Sequence, residues 1–280
     1  MLKTPIHLTE HIVFTNEDSR FKEYSIRDAD WQDQNGLALA ISIKGRSWIV
    51  INSEWIPSPI KDDSPFIRWI DQDRILLVQR RSGRFEKNVF ILNLSGEITG
   101  SFHAGDAIED VVAGPEGIWI SYYYGGFRKG LPNEKLVLFG MNGLPIFRYE
   151  SDLPEKPDIL EILTLVKGKE SAIWLVPLLK PLVEIVPEET SLALYEHPNL
   201  LKSGTSAVCI RGDFVYFVLE DTKWCYACRI GEETAQPIGK IKGESRGLAP
   251  TESYHFIAFS NVWGEVRLFH IDNKEENFLV

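Results

Sequence analysis

The chain has 280 residues, of which 44% are hydrophobic, 25% charged and 11% aromatic, as in an ordinary globular protein. Its formal net charge is −10, from 40 acidic and 30 basic residues. This acidic balance argues against a nucleic-acid partner, because affinity for nucleic acid depends on basic residues that contact phosphates. The sequence contains no apolar stretch long enough to cross a membrane, so we expect no membrane partner either.

The N-terminal residues 1–7 lack the uninterrupted apolar run of a signal peptide, which predicts a cytoplasmic protein. The first strand signal is the apolar run at residues 12–15. It precedes the first repeat described below and has no partner within that repeat.

A short apolar strand then recurs at intervals of about 40 residues, which is typical of a β-propeller whose repeats are its blades. The clearest copy is residues 111–123, where two strands are joined at Pro115-Glu116-Gly117. We predict the second strand of each repeat at residues 37–43, 74–81, 117–124, 171–178, 213–220 and 254–261.

Further strands fit around these second strands. Third strands are predicted at residues 48–52, 88–94, 135–139, 191–195, 224–230 and 266–271. First strands are predicted at 66–70, 108–113, 159–166, 206–210 and 246–249, and fourth strands at 98–102 and 145–149. The fourth repeat fits worst, because Pro177, Pro181 and Pro187 interrupt it and proline cannot donate a hydrogen bond to a sheet.

The pattern as a whole predicts an all-β protein, a β-propeller of six blades with four antiparallel strands each. An incomplete ring would leave exposed strand edges. The spare strand at residues 12–15 can remove that problem by joining the last blade, which would tie the two termini together. We therefore expect one propeller domain over residues 1–280, closed by the N-terminal strand.

One stretch resembles a known kind of blade. Residues 108–122 contain a strand, a hairpin at Gly114-Pro115-Glu116-Gly117 and the apolar strand Ile118-Trp119-Ile120. With Asn93-Leu94-Ser95-Gly96-Glu97 before it and Gly140-Met141-Asn142-Gly143 after it, the stretch is similar to a family of uncharacterised bacterial six-bladed propellers with NHL-like or sensor-like blades. The resemblance implies the fold and no activity.

The most unusual local sequence is the loop that follows the third blade's second strand. It reads Tyr122-Tyr123-Tyr124-Gly125-Gly126-Phe127-Arg128, and tyrosine and arginine are typical anchors of protein interfaces. The same loop of the preceding blade carries a basic cluster that includes Arg84. Two interpretations stay open, a loop that binds a protein partner or tyrosines that pack between blades. As binding residues we predict Tyr122, Tyr124, Phe127, Arg128 and Arg84.

Carboxylates near the first strands offer a second kind of site. Glu109 and Glu161 each follow an apolar residue on a predicted first strand, and Asp110 adjoins Glu109. Carboxylate oxygens bind Ca²⁺ or another divalent cation, which could polarise an ester or lactone. The resemblance to lactonase-like propellers is incomplete, because the asparagines those enzymes use are missing here. We expect no cofactor, with a divalent cation at Glu109, Asp110 and Glu161 as the alternative.

The three cysteines are an odd number, which argues against a disulfide scaffold. Cys225 and Cys228 have the C-x-x-C spacing of a redox or zinc half-site. A structural zinc site needs further ligands, and on one strand these two side chains point to opposite faces. The sequence therefore favours buried, unreactive thiols.

Three functions are consistent with these features. We predict a non-catalytic binding module for a protein partner. The alternatives are a metal-dependent hydrolase or small-ligand binder at the central channel, and an immunity or inhibitor protein that covers a basic toxin. The sequence has no recognised catalytic motif, which favours a protein without enzymatic activity.

Overall fold

The computed structural model describes residues 6–15, 17, 23–61, 64–83, 86–123, 130–179, 181–202 and 204–276. Within these residues the chain forms 24 strands and little helix. The strands are β1 (His7–Phe14), β2 (Ser25–Gln32), β3 (Gly36–Ile43), β4 (Arg46–Ile51), β5 (Glu54–Pro57), β6 (Phe66–Trp69), β7 (Arg74–Val78), β8 (Val89–Asn93), β9 (Ile98–Phe102), β10 (Ile108–Gly114), β11 (Gly117–Tyr122), β12 (Leu136–Phe139), β13 (Pro145–Arg148), β14 (Ile162–Lys167), β15 (Ile173–Pro177), β16 (Leu182–Val186), β17 (Ser191–Tyr195), β18 (Thr205–Arg211), β19 (Phe214–Leu219), β20 (Trp224–Arg229), β21 (Gln236–Lys240), β22 (Glu244–Gly247), β23 (Phe256–Ser260) and β24 (Glu265–Asp272).

Helical segments are short. The single α-helix among the described residues, α1, covers Tyr149–Asp152. Turns of 3₁₀ helix lie at Leu131–Glu134, Pro187–Glu189 and Asn199–Lys202. None of the helices in the described part of the chain is long and apolar enough to span a membrane.

The strands form six sheets of four antiparallel strands, the architecture of a six-bladed β-propeller. In five sheets the strands follow chain order: β2 to β5, β6 to β9, β10 to β13, β14 to β17 and β18 to β21. The sixth sheet has the order β1-β24-β23-β22. The N-terminal strand therefore supplies the fourth strand of the last blade, as predicted, although it begins at His7, earlier than residue 12.

The fold confirms most strand positions and corrects the fourth repeat. There we predicted residues 191–195 as the third strand, but they form the fourth, β17, and β16 is the third. Pro177 ends β15 and Pro187 starts a 3₁₀ turn, so these prolines mark strand ends and do not break a strand. The strands β2, β5, β16 and β21 had not been predicted.

The chain divides into two compact units. Unit 1 consists of the described residues of Met1–Val13, Glu155–Ala258 and Val266–Val280, and unit 2 of those of Phe14–Pro154 and Phe259–Glu265. The expectation of one domain over residues 1–280 stays a prediction.

Each unit is held together by apolar side chains between neighbouring sheets. In unit 2, one buried cluster joins β6–β9 to β10–β12 through residues such as Phe102 and Phe139, whose ring centroids are 5.4 Å apart. In unit 1, a similar cluster joins β14–β16 to β18–β20 around Trp174 and Phe217. Burial of large apolar and aromatic side chains is the main stabilising contribution in such packing.

Candidate functional site

A polar cleft of about 530 Å³ opens in unit 2. Its walls are the start of β2, the end of β3 with the turn into β4, and the turn between β23 and β24. Charged and polar side chains make up most of its described lining, in which Val262 is the one large aliphatic residue. A cleft of this size and lining can hold a polar ligand, with a few placed donors that fix its orientation.

Side-chain hydrogen bonds fix the turn between β23 and β24 onto β2. Asn261 accepts a hydrogen bond from the Ile26 backbone N–H at 2.6 Å and donates one to the Ile26 carbonyl at 3.1 Å. The Tyr24 hydroxyl donates to the Gly264 carbonyl at 2.8 Å. Asn261 thus acts on β2 as a neighbouring strand would. These hydrogen bonds hold this wall of the cleft against the start of β2.

Arg27 enters the cleft from an irregular position in the sheet. In the pairing of β2 with β3, Ile26 lies opposite Ile41 and Asp28 opposite Ala40, so Arg27 is the extra residue of a β-bulge. Bulges turn a side chain out of the regular alternation. The Nε atom of Arg27 is buried and has no hydrogen-bond partner within the described residues.

The other donors of the cleft come from β2, β3 and the turn after β3. Ser25 and Ser42 are paired residues of the two strands, and both line the cleft. Lys44 follows on the exposed turn, with a positive φ of 48°. Glu23 is the only carboxylate among the described lining residues. Two cations against one carboxylate give this described lining a net positive charge in a protein of net charge −10.

An apolar tip adjoins the cleft. Val262 is 86% exposed and Trp263 is 44% exposed. They sit between Asn261, which is hydrogen-bonded to Ile26 of β2, and Gly264, which accepts from Tyr24 just before β2. Large exposed apolar side chains on an ordered turn are a common feature of binding surfaces. We call Val262 and Trp263 the apolar tip.

Of the five predicted binding residues, Tyr122 is the one that lies within the described part of the chain. Tyr122 ends β11 and is only 1% exposed, and its hydroxyl donates to the Ala104 carbonyl in the core of unit 2. Burial raises the pKa of this phenol well above its usual range, with a further contribution from Glu134. Tyr122 packs between sheets, the second of the two interpretations, and is unavailable to a partner. Tyr124, Phe127, Arg128 and Arg84 lie outside the described residues.

The predicted metal ligands are placed as follows. Glu109 and Asp110 lie on β10 in unit 2, and Glu161 directly precedes β14 in unit 1. Asp110 lies 3.6 Å from the Arg68 guanidinium and accepts the Val111 backbone N–H at 2.8 Å. No group of three or more His, Cys, Asp or Glu residues suited to a metal ion occurs in the part of the chain that the structure describes.

Arg68 is the centre of a buried ionic network in unit 2 that the sequence analysis had not identified. Its guanidinium contacts Asp28 and donates to the Val111 carbonyl at 2.7 Å. The Oδ2 atoms of Asp28 and Asp30 accept the backbone N–H groups of Ile67 and Trp69 at 2.8 and 2.7 Å, and in Asp28 this is the same oxygen that contacts Arg68. Burial alone would lower the pKa of Arg68, but these carboxylates raise it. The network joins the first strands of three sheets and is structural.

Unit 1 contains a second polar network, around the end of β24. Glu276 accepts the Tyr216 hydroxyl at 2.8 Å and lies 3.4 Å from His255 Nε2. The Ile271 N–H donates to His255 Nδ1 at 3.2 Å, so the proton of the neutral imidazole is on Nε2 and faces Glu276. Asn273 donates to the Tyr216 hydroxyl at 2.7 Å.

This second network has perturbed acid–base properties. Burial lowers the pKa of His255 below its ordinary 6.5, against the opposing effect of Glu276. Burial would raise the pKa of Glu276, but hydrogen bonds from His255 and Tyr216 hold it below its ordinary 4.5. His255 is only 3% exposed, so these groups stabilise the C-terminal segment and are not presented to a substrate.

The three cysteines are free and buried. Cys225 and Cys228 pack into different apolar clusters, as expected for opposite faces of β20. Burial raises the pKa of Cys209 to about 11 and, with a contribution from Glu232, that of Cys228 to about 12. The thiols are protonated at neutral pH, which confirms the prediction of buried, unreactive cysteines.

Comparison with known proteins supports the fold and leaves the activity open. No family model matches the chain, and no curated protein does so either. Solved structures do match. A catalytically inactive variant of virginiamycin B lyase from Staphylococcus aureus, with quinupristin, has 13% identity and a TM-score of 0.59, over 95% of this chain and 99% of the lyase.

Two further structures match at similar levels. A protein of unknown function from Bacteroides thetaiotaomicron has 8% identity and a TM-score of 0.56, over 95% of this chain and 76% of its own. The β-propeller domain of Cps50 (Swd1) from Myceliophteria thermophila has 11% identity and a TM-score of 0.53, over 87% and 83%. At such low identity the similarity establishes the fold alone.

Proposed function

We propose that the chain is a non-catalytic β-propeller module that binds a protein partner through the apolar tip, Val262 and Trp263. The observation that supports this most is the exposure of Val262, 86%, the highest among the large apolar side chains of the described residues. Tryptophan is enriched among the residues that contribute most to protein–protein affinity. The hydrogen bonds of Asn261 and Tyr24 hold the turn in place, so little conformational entropy is lost on binding.

The competing hydrolase function has less support. The similar structures differ in role, one being a lyase and another a β-propeller domain of Cps50 (Swd1), so the choice depends on this chain's own residues. Asp110 is committed to Arg68 and a backbone N–H, and the adjacent guanidinium opposes a cation there. We also propose that the chain belongs to an NHL-like bacterial propeller family and that it is cytoplasmic. The three free thiols support the cytoplasmic location, because thiols stay reduced in that compartment.

The test is affinity capture with matched variants. The full-length protein, a Val262→Ser/Trp263→Ser variant and a Leu144→Ser/Ile146→Ser control would be immobilised and the captured proteins quantified. Leu144 and Ile146 are also exposed apolar residues of unit 2, at 64% and 59%. We expect a set of proteins that the wild type and the control retain and the tip variant loses.

All substituted side chains are exposed, so the three proteins should have the same far-ultraviolet circular dichroism and melting temperature. Equal capture by the tip variant and the wild type, or no specific capture by the wild type, would contradict the proposal.

A further inference from the structure

We infer that the polar cleft of unit 2 is a binding site for a phosphate ester, with Arg27 and Lys44 as the groups that bind the phosphate. The site is independent of the apolar tip in its chemistry, although Val262 belongs to both. The inference concerns a ligand class and does not require that a protein partner binds at the tip.

Arg27 has no partner for its buried Nε among the described residues. Within the described residues Arg27 takes part in no ion pair or hydrogen bond, and its Nε is buried. A buried polar group without a partner costs free energy, so proteins usually satisfy it. Arg27 contrasts with Arg68 of the same unit, which contacts two carboxylates and two carbonyls. A ligand that accepts from Arg27 would remove this deficit.

The cleft contains four side chains that can donate hydrogen bonds to an anion. The Arg27 guanidinium, the Lys44 ammonium and the hydroxyls of Ser25 and Ser42 all line one cleft. None of these four side chains makes a hydrogen bond or ion pair inside the described part of the chain. A phosphate monoester presents three terminal oxygens and about two negative charges, which suits four donors. A carboxylate carries a single negative charge, which would balance only one of the two cations, Arg27 and Lys44.

The volume and the charge of the cleft suit a phosphate that is attached to an organic group. The cleft, at about 530 Å³, has room for more than the phosphate group, so we expect an organic group to accompany it. Glu23 is the one carboxylate in the described part of the lining, and it reduces the net charge there without cancelling it. Since the whole protein carries a charge of −10, an anion should bind here through local contacts and not through the long-range field.

Calorimetric titration of the purified full-length protein tests this. The probes are O-phosphoserine, inorganic phosphate and acetate, and the proteins are the wild type, Arg27→Gln, Lys44→Gln and Lys61→Gln. Lys61 is an exposed lysine of unit 2 outside the cleft, so its substitution removes the same charge elsewhere. We expect saturable binding of O-phosphoserine, weakened about tenfold by each cleft substitution and unchanged in Lys61→Gln.

The two phosphate probes distinguish the source of the ligand. Tighter binding of O-phosphoserine than of inorganic phosphate would support an ester on a larger molecule, and comparable binding would support free phosphate at the same residues. Acetate binding as tight as phosphate binding, or unchanged affinity in both cleft variants, would overturn the inference. Lys44 is exposed on a turn, so Lys44→Gln should fold even if Arg27→Gln does not.

This outcome is separate from that of the capture experiment. If the purified chain binds O-phosphoserine and the Val262→Ser/Trp263→Ser variant captures the same proteins as the wild type, the cleft inference holds and the proposed function fails. If the purified chain does not bind O-phosphoserine and the tip variant loses its captured proteins, the proposed function holds and the cleft inference fails.

Discussion

In both units the first strands of neighbouring sheets contact each other at the same chain spacing, but the chemistry of the contact differs. In unit 2, Asp28 accepts a hydrogen bond from Ile67, 39 residues later, at 2.8 Å. In unit 1, Cys209 contacts the Leu248 carbonyl, also 39 residues later, at 3.7 Å. Spacings of 43 residues also occur in both, from Arg68 to Val111 and from Arg211 to Tyr254.

The equal spacing along the chain reflects the length of one repeat. The strength of each contact depends on which side chains occupy the contacting positions. Unit 2 places Arg68 between the carboxylates of Asp28 and Asp110. In unit 1 the contacts at the corresponding place include the 3.5 Å distance between the hydroxyls of Ser206 and Ser245 and the bond from the buried Arg211 to the Tyr254 carbonyl, a neutral acceptor. Where a buried cation is paired with carboxylates, as in unit 2, removing one partner is costly.

The largest expected effect is that of Arg68→Met. The substitution leaves Asp28, Asp30 and Asp110 together without their cation, so we expect a loss of about 3–5 kcal/mol in the free energy of unfolding. The matched control is Ser206→Ala in the first strand β18 of unit 1, for which we expect less than about 1 kcal/mol. Urea unfolding followed by tryptophan fluorescence measures both.

Equal losses for Arg68→Met and Ser206→Ala would contradict the contrast between the units.

A smaller effect concerns pH and the His255 network of unit 1. The pKa of His255 is lowered in the folded protein. Below pH 6.5, the ordinary pKa of histidine, the unfolded chain therefore binds the proton more readily than the folded chain does. The free energy of unfolding consequently decreases as the pH falls. The lowered pKa of Glu276 adds a second loss below 4.5. Each unit of pKa difference is worth about 1.4 kcal/mol.

His255→Gln should remove the first loss. We expect the melting temperature of the wild type to decrease from pH 6.5 towards 4.5, and that of His255→Gln to decrease less over the same range, whatever its value at pH 7. The same slope in the two proteins would mean that His255 does not carry the effect. Arg68 of unit 2 should stay protonated over this range, because its pKa is raised.

The blade pattern was predictable because second strands such as β11 and β19 are apolar on both faces. Short strands beside prolines were harder: β16 lies between Pro181 and Pro187, and only the folded chain shows that these prolines flank it. Ring closure could be inferred from a strand without a partner in its own repeat.

The candidate site was much less predictable. Arg27 reaches the cleft because a bulge interrupts the alternation of β2, and a sequence pattern cannot show which residue is extra. Asn261-Val262-Trp263-Gly264 has the composition of a turn, but its exposure depends on the hydrogen bonds to Ile26 and Tyr24, which are more than 200 positions away along the chain. Tyr122 belongs to an unusual sequence and is nevertheless a core residue.

The most direct test of the proposed binding surface is site-specific photocrosslinking in a lysate. A benzophenone amino acid would replace Trp263 in one protein and Leu144 in another, both exposed apolar positions of unit 2. We expect the protein with the benzophenone at position 263 to form a discrete adduct with a partner protein, and the protein with it at position 144 to form none. Adducts in equal yield from both positions, or from position 144 alone, would contradict it.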